Sequence, residues 1–169
     1  MAISQTFLNN AADGAFVTSL DLFFSEKDSV QPINLALLQT EKDRPGNKIL
    51  PFSIVTKAAA DVNTSTDGAT ATTFTFPSPV FLKGGLTYSF TLTCNSTKYV
   101  LYMSELGQTV IGGTRRVSEQ PAVGALFKAQ NVGPQNEMPL NDIKFNLKRA
   151  VFTTNTTGTA TFNNSALSA

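Results

Sequence analysis

Apolar and polar residues alternate along this chain in six separate segments. Successive side chains of a β-strand point to opposite faces, so a repeat of two predicts half-buried strands. Few windows place apolar residues at helical spacing, and only Val55 to Asp61 predicts a short helical turn. The chain is therefore predicted to be all-β. The alternating segments are Leu20 to Phe24, Ile33 to Leu37, Phe74 to Phe76, Tyr88 to Cys94, Tyr99 to Met103 and Ile143 to Leu147.

Residues that favour turns separate these segments. Glycine, proline, asparagine and aspartate each favour a backbone conformation that reverses the chain. Strands this closely spaced by turns predict an antiparallel β-sandwich, jelly-roll-like, with about eight strands. The predicted turns are Asp13-Gly14, Arg44-Pro45-Gly46-Asn47, Asp67-Gly68, Pro77-Ser78-Pro79, Lys83-Gly84-Gly85, Asn95-Ser96 and Gly112-Gly113.

The alternation also predicts which side chains fill the core. The apolar side of each segment should face the opposite sheet, and Cys94, the one cysteine, is expected to behave as a small apolar residue. The predicted core residues are Phe16, Leu20, Leu22, Phe24, Ile33, Leu35, Leu37, Phe74, Phe76, Tyr88, Phe90, Leu92, Leu101, Phe145 and Leu147.

Length and composition predict one domain followed by a polar tail. A chain of 169 residues is long enough to bury a core without disulfide or metal support. Residues 1–152 are predicted to form the β-sandwich module. Residues 153–169 are almost entirely Thr, Asn, Ser, Ala and Gly, which predicts a linker or the start of a following module. The chain is accordingly expected to be the N-terminal piece of a longer protein.

Net charge and the lengths of the apolar runs argue against two classes of partner. Thirteen basic residues against twelve acidic ones give a net charge of +1, so no overall field favours nucleic acid. No run of about 18 apolar residues is present, so membrane insertion is not expected.

The composition also predicts a protein that is not an enzyme. The chain contains no histidine, which removes Ser-His-Asp and Cys-His catalytic groups and histidine-rich zinc sites. The acidic residues are scattered without a recognisable acid and nucleophile pair. No catalytic residue, cofactor or metal is predicted.

One segment resembles a calcium-binding loop only in part. From Asp61 to Gly68, oxygen-bearing side chains recur at alternate positions. An EF-hand loop needs glycine at its sixth position and glutamate at its twelfth, where this chain has Thr66 and Thr72. An Asx-rich turn is the favoured interpretation.

Four residues are candidates for contact with a ligand or partner. Tyr102 alternates away from the apolar side of its segment, so its ring could stack on a sugar, although a strand tyrosine more often packs in a core or at its rim. Arg115 and Arg116, followed by Glu119, could grip a carboxylate, a phosphate or an acidic partner strand. A solvated charged pair at the edge of a loop is the favoured interpretation of the arginines.

Several longer phrases resemble a known type of module. Those from Gly14 to Asp28 and from Ser118 to Asn131 are similar to phrases in large tail and baseplate proteins of contractile-tailed bacteriophages, the cyanophage-type myoviruses. Three further segments lie between them in the same order, namely Ile49 to Ser53, Thr72 to Val80 and Tyr102 to Gly107. The resemblance covers roughly residues 5 to 152.

The resemblance implies a β-sandwich module of a tail, baseplate or fibre protein, located in the virion and oligomeric in its parent protein. Its expected partners are other virion proteins. An alternative function is a carbohydrate-binding module for host-surface glycans, which would show an aromatic platform in a concave face. A glycan-degrading enzyme would instead need two carboxylates facing each other across a groove.

Overall fold

The computed structural model describes residues 1–120, 123–129, 136–153 and 156–161. Its only helical element is one 3₁₀ turn, Ala59–Asp61. The thirteen strands of the described chain are β1 (Ala2–Leu8), β2 (Ala15–Glu26), β3 (Ile33–Glu41), β4 (Arg44–Ile49), β5 (Val55–Lys57), β6 (Ala71–Leu82), β7 (Thr87–Thr93), β8 (Val100–Leu101), β9 (Met103–Glu105), β10 (Leu126–Ala129), β11 (Asn136–Met138), β12 (Asn141–Ile143) and β13 (Phe145–Arg149).

The strands form two principal antiparallel sheets. The larger, sheet A, has seven strands in the order β11-β10-β1-β7-β3-β4, with β5 also paired to β3. Sheet B has four, in the order β13-β2-β6, with β8 also paired to β2. A small sheet pairs β9 with β12. The sheets pack together as a sandwich, and one of them curls into a half-barrel.

The predicted all-β sandwich is therefore confirmed. Eight of the described strands have four or more residues, and the other five are short pieces of two or three. The connections β1 to β2, β2 to β3 and β6 to β7 each cross from one sheet to the other. Such crossings occur in jelly-roll folds, in which eight strands form two Greek keys across two packed sheets.

The core contains most of the residues that the alternation predicted. Twelve of the fifteen predicted side chains are buried between the sheets, and Cys94 is buried with them. Phe145 and Leu147 are partly buried and pack against this cluster. The central side chains, all without exposed surface, include Leu20, Phe24, Leu37, Phe74 and Phe90.

The prediction that Phe16 lies in the core is wrong, because the side chain is 40% exposed. The pairing of β2 with both of its neighbours is irregular between Val17 and Ser19. An irregularity of this kind shifts the register by one residue and exchanges the two faces of the strand. Val17 therefore takes the inward position, with no exposed surface, and Phe16 points outward.

The turn predicted at Arg44 to Asn47 is also wrong, because those residues lie in β4. The chain reverses one step earlier, at Lys42 and Asp43, which have φ values of 52° and 60°. Two consecutive positive φ values are typical of the tight hairpin turn that suits twisted strands. Pro45 is tolerated because β4 is an edge strand, where a missing N–H breaks no ladder.

The turn predicted at Pro77-Ser78-Pro79 lies inside β6, so that prediction is wrong as well. On β2, Val17 pairs with Val80 and Ser19 with Thr75, so residues 76–79 of β6 stand opposite a single residue. Both prolines lie in this bulge, on an edge strand where their missing N–H groups are harmless.

The polar tail begins beside sheet B. The backbone N–H of Ala150 donates to the carbonyl of Phe16 (2.8 Å), and residues 151–153 are exposed. Residues 156–161 are also exposed and contain no strand. The rest of the predicted linker, including Phe162, lies outside the described residues.

Candidate functional site

A cavity of about 660 Å³ opens beside the small sheet. One wall is a hairpin formed by residues 107–117. The other side is formed by the turn at Asp67-Gly68 and by Tyr102, which precedes β9. Ligand-binding cavities in proteins typically measure 300–1,000 Å³. The cavity is therefore large enough for a small ligand or for part of a partner chain.

In the hairpin wall, residues 107–117, three backbone hydrogen bonds join the two arms. Gly107 N–H donates to Val117, Val117 N–H donates to Gln108, and Val110 N–H donates to Arg115, each at 2.9 Å. Its tip contains the predicted turn Gly112-Gly113, where Gly112 has a φ of 74°. Ile111 at the tip is 64% exposed, so the hairpin presents an apolar side chain to solvent.

Tyr102 lines this cavity but is fixed by contacts of its own. Its hydroxyl donates to the carbonyl of Ser65 (2.6 Å), and the backbone N–H donates to Phe23. The ring lies so close to Gly68 that a Cβ there would be 3.1 Å from it. A fixed, half-buried ring can serve as a rigid wall.

The charged groups of the cavity are Asp67, Glu105 and Lys144. The backbone N–H of Ala69 donates to Asp67 Oδ1 (2.9 Å) and holds the pKa of that carboxyl below its ordinary value, so it is ionised at neutral pH. Lys144 Nζ donates to the carbonyl of Gly68 (2.9 Å) and lies 4.5 Å from the centre of the Phe23 ring. The ammonium keeps its positive charge there and contributes to lowering the pKa of Asp67, so the lining carries two carboxylates and one ammonium.

The other three candidate residues lie at or after the hairpin. Arg115 and Arg116 are exposed on its returning arm, with Arg116 opposite Thr109, and Glu119 is exposed two residues beyond the arm. None of the three lines the cavity. No ion pair joins the arginines to Glu119 in the described part of the chain.

One side chain from the first strand holds the small sheet in place. Gln5 Nε2 donates to Asp142 Oδ1 (2.7 Å), and Gln5 Oε1 accepts from the backbone N–H of Ile143 (3.0 Å). Both Gln5 and Asp142 are buried. Since Ile143 lines the cavity, this bridge from β1 to β12 positions the floor of the site.

A second surface feature is an aromatic patch, defined as Phe16, Phe81 and Phe152. The ring of Phe16 lies 5.0 Å from that of Phe81 and 5.4 Å from that of Phe152, measured between centres. The three side chains are 40%, 50% and 63% exposed. Clustered aromatic rings on a surface are typical of interaction sites, whereas single exposed apolar residues are common everywhere.

The segment from Asp61 to Gly68 forms turns through its own hydrogen bonds. Thr72 Oγ1 accepts from the backbone N–H of Asn63, and Asp67 caps the N–H of Ala69. Across the residues that the structure describes, no three His, Cys, Asp or Glu side chains gather where they could hold a metal ion. The same residues contain no helix long and apolar enough to cross a membrane.

The sequence pattern identified Tyr102 but not its neighbours in the cavity. Asp67 and Lys144 come from segments 35 or more residues away along the chain, and only the fold brings them beside Tyr102. Alternation at Ile143 to Leu147 was visible, yet nothing in it marks Lys144 as a cavity residue. Within the second resembling segment, Lys128 is exposed in β10.

Comparison of the chain with protein-family models, with curated proteins and with solved structures finds no significant match.

Proposed function

We propose that this chain is a non-enzymatic structural module of a bacteriophage virion, within a tail, baseplate or fibre protein. There it mediates assembly with other virion proteins or attachment to the host surface. The proposal starts from the resemblance of its phrases to such modules. The aromatic patch supports the proposal, because aromatic residues are enriched where proteins contact each other.

No catalytic role is part of this proposal. Asp67 and Glu105 both line the cavity, and a glycan-degrading enzyme would need two such carboxylates to face each other across it. A general acid in such an enzyme has a raised pKa, produced by an apolar surrounding. Both side chains here are exposed, and the pKa of Asp67 is lowered, which is the opposite direction.

A second candidate function is the binding of host-surface glycans. The observation that favours it is that Tyr102 lines the same cavity as the carboxylate of Asp67 and the amide of Gln108. Sugar sites combine an aromatic face with carboxylate and amide groups that accept and donate hydrogen bonds. A glycan array probed with the chain, and with Asp67→Asn as a matched variant, tests this function directly.

The virion role is tested on purified particles of the virus that encodes the chain. Immunogold labelling with antibodies to residues 1–152 is expected to mark the tail or baseplate. Particles assembled with Phe81→Ser should incorporate less of the protein, while Val30→Ser, which changes another exposed apolar residue, should be neutral. Absence of the protein from purified particles would contradict the proposal.

A further inference from the structure

Strand β9 has a free edge at the cavity. It pairs with β12 on one side, and no other strand of the described chain pairs with its opposite edge. Lys144 N–H donates to Tyr102 and Leu106 N–H donates to Leu140, so alternate residues direct their backbone groups to β12. Met103 and Glu105, which lie between them, therefore direct theirs away from β12. The C=O of Glu105 accepts from the backbone N–H of Gln108 (3.1 Å), which leaves the N–H of Glu105 and both backbone groups of Met103 at this edge.

The cavity adjoins β9. Four consecutive residues, 102 to 105, line it, although successive side chains of a strand point to opposite faces. The cavity therefore meets both faces of β9, and Ile143, Lys144 and Phe145 from the paired side line it as well. Met103 to Glu105 span about 10 Å, and three backbone groups of this edge are open to pairing.

The chemistry of the walls indicates what would pair there. Val110, Ile111 and Val117 of the hairpin, with Ile143 and Phe145 across the cavity, supply apolar surface. Asp67 and Glu105 supply two carboxylates against the one ammonium of Lys144, so the charged groups of the lining are net negative. An occupant should therefore be extended, largely apolar and basic at one position or more.

We propose that the cavity binds an extended segment of a partner protein, which adds a strand to the free edge of β9. Apolar side chains of the segment pack against the hairpin, and a lysine or arginine meets Asp67 and Glu105. Main-chain pairing supplies affinity in this mode of recognition, and the side-chain contacts supply specificity. The inference rests on the proposed assembly function and names the class of partner that this face accepts.

The test uses a displayed library of random heptapeptides selected against residues 1–169. Enriched sequences are expected to alternate Val, Ile, Leu or Phe with Lys or Arg. A selected peptide, measured by fluorescence polarisation, should lose at least tenfold in affinity when alternate residues are N-methylated. N-methylation removes the N–H donors that a strand needs and leaves every side chain in place.

Two variants of the protein test the charge contribution. Glu105→Gln removes an exposed carboxylate at the edge and should weaken binding of the basic peptide about tenfold. Asp13→Asn changes an exposed carboxylate in another turn, outside the cavity lining, and should leave affinity unchanged. Thermal melting of both variants checks that the fold is intact.

Three results would overturn the proposal: no enriched peptide, equal binding by the N-methylated peptide, or displacement of the peptide by a glycan that binds the array. Sedimentation that shows self-association lost in Glu105→Gln would identify a second copy as the occupant, which also overturns it. The immunogold experiment is independent of these. Particles that contain the protein while no peptide is selected would support the virion role and reject only this site.

Discussion

Asp142 is a buried carboxyl group that has no cation beside it in the described chain. The side chain is 1% exposed, Gln5 donates to its Oδ1, and Oδ2 has no hydrogen-bond partner among the described residues. Ser104 stands opposite it on β9. Burial raises the pKa of Asp142, so the folded protein holds this proton more tightly than the unfolded chain does. The contribution of protonated Asp142 to the free energy of unfolding is present in acid and is lost as pH rises through the raised pKa.

Asp142→Asn should therefore stabilise the protein at pH 7, by about 1 kcal/mol, because an amide keeps the bond from Gln5 and carries no charge to desolvate. The gain should shrink as pH falls below about 4, where the carboxyl of the unfolded chain is protonated too. Urea unfolding of both proteins from pH 3 to pH 8 measures this difference.

Asp21→Asn is the matched control for that experiment. Asp21 is also buried, but Lys148 lies 2.7 Å from its Oδ2 and Thr73 donates to its Oδ1 (2.6 Å). Removing this paired charge should cost roughly 1 kcal/mol at pH 7. A loss of stability in both variants would show that the charge of Asp142 is not the cause.

Phe90→Ala should lower the free energy of unfolding by about 3–5 kcal/mol. The ring has no exposed surface and packs edge-on against Phe145, with 5.1 Å between centres. Phe81→Ala removes the same group from a side chain that is 50% exposed, and about 1 kcal/mol or less should be lost. Equal losses in guanidinium unfolding would contradict the assignment of Phe90 to the core.

At the scale of elements, the alternation predicted the long strands and failed at interruptions. Register was predictable for Leu20 to Phe24, but an irregularity beside Val17 reverses the strand faces and carries Phe16 outward. Strand β1 was missed because buried Gln5 takes an inward position and breaks the apolar pattern. Bulges and buried polar bridges depend on partners far along the chain, which local spacing does not contain.

The turn before β2 provides a further test of an element. Gly14 has a φ of 82°, and a Cβ there would lie 2.7 Å from the carbonyl oxygen of Leu82. Gly85 has a similar φ, 71°, with no atom within 4 Å of that position. Both substitutions to alanine carry the backbone strain, which costs roughly 1 kcal/mol.

Gly14→Ala should cost roughly 1 kcal/mol more than Gly85→Ala, because only the first adds a steric clash. The difference in midpoint of denaturant unfolding, with equal slopes, measures this excess. Equal midpoints would mean that the turn at Gly14 can move away from Leu82 without loss of stability.

At the scale of the whole molecule, the prediction of one module over residues 1–152 states which part of the chain contributes to the stability of the fold. Phe152 packs edge-on against Phe16, and Ala150 is the last described residue to make a backbone hydrogen bond to sheet B. The division itself rested on composition and stays a prediction. Composition gives no information on how a tail is anchored, so the contact of Phe152 was not predictable.

A chain ending at Phe152 should therefore keep the melting temperature of the full protein within about 2 °C. A chain ending at Arg149 loses the Ala150 bond and the Phe152 ring, and its melting temperature should fall by roughly 2–4 °C for each 1 kcal/mol removed. Differential scanning calorimetry separates the two outcomes. A large fall for the longer chain would place stabilising contacts in residues 153–169.

The bridge made by Gln5 also determines when the cavity can form during folding. Its two bonds join residues 137 and 138 positions apart, so the first strand must meet the last quarter of the chain before the floor of the cavity is fixed. Contacts of such long separation form slowly, because a large loop must close first. During synthesis the floor of the cavity consequently stays incomplete until almost the whole module has left the ribosome.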